Sequence, residues 1–194
     1  MSTIPPQLPH ARPTLAPGAP PRFLAPLAQS VLVVCAASAL SWLLLVPLAA
    51  SASSAEWVRQ MVQGHDLSWL SPALHWLGAH AVAVSVAGLL TCLAGVAACW
   101  GMLRRQGWAL WLFIVLLVAT AASNFAATWV IDDAVRHLLA YLAPHADASD
   151  MRELRLQRLF FTGTALGTSI AFAVLHVWLV VRLLRADVLA YFRR

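Results

Sequence analysis

Residues 159–184 read LFFTGTALGTSIAFAVLHVWLVVRLL. The run holds no Asp, Glu, Lys or Arg before Arg182. It is longer than the ~20 apolar residues a helix needs to cross a ~30 Å hydrocarbon layer. Read as a transmembrane helix, it has two faces that differ from a lipid-facing surface. Gly163, Gly167 and Ala171 recur every four residues, the small-xxx-small spacing that lets helix backbones come close in lipid. Thr162, Ser169 and His176 lie at seven-residue spacing on the opposite side. A helix unlike lipid on both sides is expected to be central or oligomeric.

The rest of the chain has the same character. Of its 194 residues, 61% are hydrophobic and only 11% charged, with a mean hydropathy of +0.75. Soluble domains average about 45–50% apolar and about 25% charged, so most of these side chains require lipid as solvent. Three more apolar runs cover residues 28–50, 74–103 and 108–129. The expected fold is therefore an all-α integral membrane protein, a bundle of four transmembrane helices spanning ~28–50, ~74–103, ~108–129 and ~159–184. Residues 1–27 hold eight of the eleven prolines and read as a disordered, solvated tail. Arg12, Arg22, the first apolar run and Ala50-Ser51-Ala52 also resemble a secretory signal with its cleavage site. The length of the run and of the leader argues for a retained span instead.

The loop at 51–73 carries a Ser53…Glu56 capping box followed by Trp57, Val58 and Met61, expected as a short amphipathic helix. Ser71-Pro72 is a helix start, the hydroxyl capping and the proline occupying the first turn. Gly88 and Gly95 lie one heptad apart in the second span, another close-packing signature. The Arg104-Arg105-Gln106-Gly107 turn allows only a tight hairpin into the third span.

The net charge of +5 comes from thirteen arginines against eight acids. In a soluble chain that would suggest nucleic acid, but here the arginines flank apolar runs, so no nucleic-acid partner is expected. One side collects Arg12, Arg22, Arg104, Arg105, Arg182, Arg185, Arg193 and Arg194 with Asp187 alone. The other has five arginines with seven acids. The positive-inside rule makes the first side cytoplasmic, with both termini there, and a bacterial inner membrane is the default setting.

No proline or glycine interrupts residues 108–143. The third helix is thus expected to outrun the membrane, turn at 144–149, and return through a helix that leads into the fourth span. This outer hairpin, residues 130–158, would set Asp132 or Asp133 against Arg158, and Arg136 against Glu153. Lying flat on the surface is the alternative for both arms.

Candidate sites are few. His80, Ser85, Asn124, Thr128, Thr164 and Thr168 fall at similar depth and would line a polar pocket or bond between helices. His176 is the deepest ionisable group, and such residues mark candidate functional sites. Two-histidine haem ligation needs a second deep histidine, which is missing. Cys35, Cys92 and His176 lie at similar depth and form a weak soft-metal candidate. No cofactor is expected. No nucleophile elbow, phosphate loop, HExxH or dinucleotide fingerprint is present. The expectation is a non-enzymatic inner-membrane subunit, partnered by the bilayer, that associates with itself or with a larger membrane complex. A small dimeric transporter or channel using the polar pocket is the alternative, and a metal or redox protein the third.

Overall fold

The computed structural model describes residues 22–55, 60, 64 and 69–192. Six helices can be followed: α1 (Leu24–Ser54), α2 (Pro72–Ala79), α3 (Ala81–Leu103), α4 (Gly107–Leu142), α5 (Ala148–Leu183) and α6 (Ala186–Phe192). No strand occurs among the described residues. α1, α3, α4 and α5 are long and apolar enough to cross a membrane, so this is an all-helical, multi-pass membrane protein. Residues 1–21 of the tail, Glu56, Trp57, Val58, Met61 and His65 lie outside the described residues, and with them the loop's capping box and short amphipathic helix.

α1 begins at Leu24, four residues ahead of the expected span, because Pro26 falls in the first turn, where a missing N–H goes unused. Pro47 lies inside the same helix. The second apolar run is interrupted. Ser71 caps α2, accepting a hydrogen bond from the Leu74 amide at 3.3 Å. The helix then stops at His80, whose backbone sits at φ −112°, ψ 20°. Both the His80 amide (3.0 Å) and its ring Nδ1 (2.9 Å) lie against the Trp76 carbonyl, and the imidazole stacks on the Trp76 ring. Gly78 just before the break weakens the local helix further.

The α3–α4 turn is built by backbone bonds. The Arg105 amide donates to Met102 O (3.1 Å) and the Gln106 amide to Gly101 O (2.9 Å), a Schellman closure. Arg105 takes the left-handed position at φ 62°, where glycine is usual. The helices leave the turn in close contact, since a Cβ at Gly101 would stand 2.6 Å from Ala109 Cβ.

The buried core gathers at this turn end. Ala28 of α1, Cys99 and Met102 of α3, Leu110 of α4, Leu183 of α5 and Val188 of α6 are all essentially inaccessible and belong to one cluster. Farther along, packing follows the chain: α1 runs against α3 and α5 against α4, while α2 touches α3 and α4. No extended packing joins α1 to α5 among the described residues. With α3 also packed on α4, the four long helices stand in the order α1, α3, α4, α5, with α1 and α5 as the open flanks.

Gly88 and Gly95 serve the α1–α3 pair. A Cβ at Gly88 would stand 2.5 Å from the Trp42 ring, and one at Gly95 2.8 Å from Cys35 Sγ. These two positions must be glycine for the helices to approach as they do.

Candidate functional site

α4 and α5 each have 36 residues, about 54 Å at 1.5 Å per residue. That exceeds the hydrocarbon layer, so both helices continue past their apolar runs and join through the turn at 143–147. The contact between them is a polar seam, and Asp132 is its centre. Arg158 donates to both of its oxygens, Nε to Oδ1 at 2.8 Å and Nη2 to Oδ2 at 2.9 Å. Thr162 donates to Oδ1 at 2.7 Å, and Arg136 Nη2 lies 2.9 Å from Oδ2. A carboxylate accepts about four hydrogen bonds, so this one is saturated.

Asp132 lies beyond the apolar run 108–129. The Arg158 hydrogen bonds hold its carboxyl down to about 2, against the opposing effect of burial and with help from the Thr162 hydroxyl and the charges of Arg158 and Arg136. Arg136 turns to Asp132, one turn back on its own helix, and not to Glu153, because Asp132 is already within reach without ordering a second chain segment. Glu153 instead accepts from Gln157 at 3.2 Å. Asp133 neighbours His137, whose Nδ1 is 3.7 Å from Oδ1 and 2.9 Å from the Asp133 carbonyl.

A second tier lies deeper. Thr128 donates to Asn124 O at 2.9 Å, and its oxygen is 3.0 Å from Ser169 Oγ. Either hydroxyl can donate across this contact, because the Asn124 carbonyl is an acceptor within reach of both. Ser169 Oγ also lies 3.4 Å from Asn124 O. The stripe Thr162, Ser169 therefore faces α4. His176 continues it, with Nδ1 buried and without a hydrogen-bond partner among the described residues, beside the Phe172 ring.

Beside this seam opens a groove of about 390 Å³. Asn124, Thr128, Thr164 and Thr168 line it together with Phe161 and Phe172. Thr164 and Thr168 spend their hydroxyl protons on Phe160 O and Thr164 O within their own helix, at 2.8 Å each. His80 and Ser85 do not line this groove: His80 is turned to Trp76, and Ser85 is buried on α3. Nor does the fold bring Cys35, Cys92 and His176 together. The cysteines sit on α1 and α3, whereas α5 packs on α4. No group of three or more His, Cys, Asp or Glu suited to a metal occurs among the described residues.

The opposite side of α5 is open. Gly163, Gly167 and Ala171 are exposed, and none of the described residues lies within 4 Å of where a Cβ would stand on either glycine. The sequence pattern identified the two stripes of α5 but not their occupants. Trp42, the partner that fixes Gly88, carried no signal of its own, since a tryptophan in an apolar run fits lipid equally well. Comparison with protein-family models, with curated proteins and with solved structures finds no match.

Proposed function

We propose that this chain is a self-associating subunit of a bacterial inner membrane, with both termini and the Arg104-Arg105 turn in the cytoplasm and the hairpin around 143–147 outside. One observation carries the reading. α5 has two sides shaped for helix contact, and the described residues use only one of them. Gly88 and Gly95, within the apolar α3, have a partner at contact distance, whereas Gly163 and Gly167 of α5 have open space among the described residues. A second copy of α5 seated there would let backbones approach and bring van der Waals contact, the main source of helix association where lipid surrounds both partners. The cytoplasmic assignment rests on charge: Arg22, Arg104, Arg105, Arg182 and Arg185 share one end with the single acid Asp187. No catalytic constellation competes with this reading among the described residues, and a larger membrane complex would use the same open face.

The test is the mass of the full chain in mild detergent and in native membranes. The wild type is expected as a discrete oligomer. Gly167→Leu fills space that is empty among the described residues, so it should disperse the oligomer to monomer while each chain stays folded, with its helical circular-dichroism signal unchanged. A monomeric wild type, or an oligomer indifferent to Gly167→Leu, would overturn the proposal.

A further inference from the structure

At the turn end, arginines stack on aromatic rings instead of pairing with acids. Arg104 lies over Trp100 at 4.9 Å from the ring centre and Arg105 over Tyr191 at 4.8 Å. Arg182 has two rings, Phe23 at 4.3 Å and Trp178 at 5.0 Å. No carboxylate among the described residues pairs with any of these three. The only acid nearby in sequence, Asp187, lies 3.6 Å from Arg185, and both side chains are well exposed. Stacking engages the flat face of a guanidinium and leaves the N–H donors on its rim. Arg182 is therefore held in place, its guanidinium faces covered by rings, with its donors unspent among the described residues.

Those donors border a depression of about 350 Å³ lined by Trp178, Val181, Arg182 and Arg185. Its cationic side faces the turn end. Its apolar side runs on into Ile170, Val174, Val177 and Val181, an exposed strip along α5 leading toward the middle of the span. Trp178 sits at the boundary, as tryptophan does at membrane interfaces. A ligand that fits both halves has an anionic head with hydrogen-bond acceptors and a long apolar tail.

We propose that this depression binds the phosphate of an anionic phospholipid, Arg182 and Arg185 holding the headgroup while an acyl chain lies along the valine strip. Basic pockets at helix ends take such headgroups, and arginine suits phosphate through its planar fork. A soluble phosphate would satisfy the arginines but leave the strip unused. The proposal does not rest on self-association, although Ile170 and Val174 stand seven residues on from Gly163 and Gly167 and share that face of α5, so a second copy seated there would lie beside the acyl chain.

Native mass spectrometry of the detergent-purified full chain tests it, with phosphatidylglycerol, phosphatidylcholine and inorganic phosphate as separate probes. Phosphatidylglycerol is expected to bind at least about tenfold more tightly than phosphatidylcholine, and inorganic phosphate not to displace it. Arg182→Gln and Arg185→Gln should each weaken phosphatidylglycerol binding about fivefold, the worth of one arginine near a membrane surface. Arg185 is exposed, so its variant remains informative if loss of the Arg182 stacking disturbs folding. Arg152→Gln, exposed at the far end, should change nothing. Equal binding of the two lipids, or variants that bind as the wild type does, would overturn the proposal. Displacement by inorganic phosphate would also overturn it, reassigning the site to a soluble anion.

Discussion

Asp132→Ala is expected to destabilise the protein by about 2–3 kcal/mol and to free the hairpin, the larger of the two single-side-chain effects. The change leaves a guanidinium and a hydroxyl without their acceptor. Charged hydrogen bonds contribute about 1.5–3 kcal/mol, and stripping one partner from a buried ion pair costs about 3–5 kcal/mol. Arg158 keeps 25% of its side chain exposed and can recover some water, which places the expectation at the lower end. Thr162 and Arg136 lose their acceptor in the same step. Scanning fluorimetry should show the lowered midpoint, and limited proteolysis should cut the wild-type turn at 143–147 slowly and the variant quickly.

Acid gives an independent reading of the same group. The folded carboxyl sits at about 2, below the ~3.9 of a free aspartate. Its contribution is therefore fully present above about pH 4 and is lost as pH falls through about 2. The wild type should lose midpoint over that window. Asp132→Asn, with no carboxyl to protonate, should start lower and lose less. Parallel acid profiles for the two would show that Asp132 does not anchor the seam.

Gly88→Leu is the second large effect. Its Cβ would stand 2.5, 2.7 and 2.8 Å from three atoms of the Trp42 indole, distances that real Cβ atoms do not adopt. The ring must leave its place between α1 and α3, and overpacking of this kind costs about 1–3 kcal/mol. Trp42→Ala removes the obstacle, so the double variant Trp42→Ala/Gly88→Leu should be more stable than Gly88→Leu alone. That sign reversal in a double-mutant cycle, read by thermal midpoint, is the check. Additive losses would mean that the two side chains do not meet.

Much of this architecture could be read from residue order. Four apolar runs set the number of crossings, and Ser71-Pro72 set a helix start because capping chemistry is local. Gly88 and Gly95 announced close packing because in lipid only small residues permit it. Asp132 and Arg158 were within reach of the pattern, since an uninterrupted helix and a short turn bring opposite charges together. Arg136 was less legible, because an i,i+4 acid on its own helix competes with one across the turn. The interruption at His80 turned on one shared carbonyl, which hydrophobicity does not record. Ser85 and His80 fell outside the groove for a related reason: similar depth says nothing about which way a helix faces. The open flank of α5 was hidden most deeply. Small residues look the same whether a partner helix is present or absent, and only the packing of the chain tells them apart.

In the proposed topology the chain crosses the membrane four times, with the arginine turn and the hairpin turn on opposite surfaces. Single cysteines at Gln106 and Ala146, probed with an impermeant maleimide in right-side-out vesicles, test it most directly, because the native Cys35, Cys92 and Cys99 lie within the spans. Ala146→Cys should label at once and Gln106→Cys only after the vesicles are opened. Labelling of both sites from the same side would contradict the account.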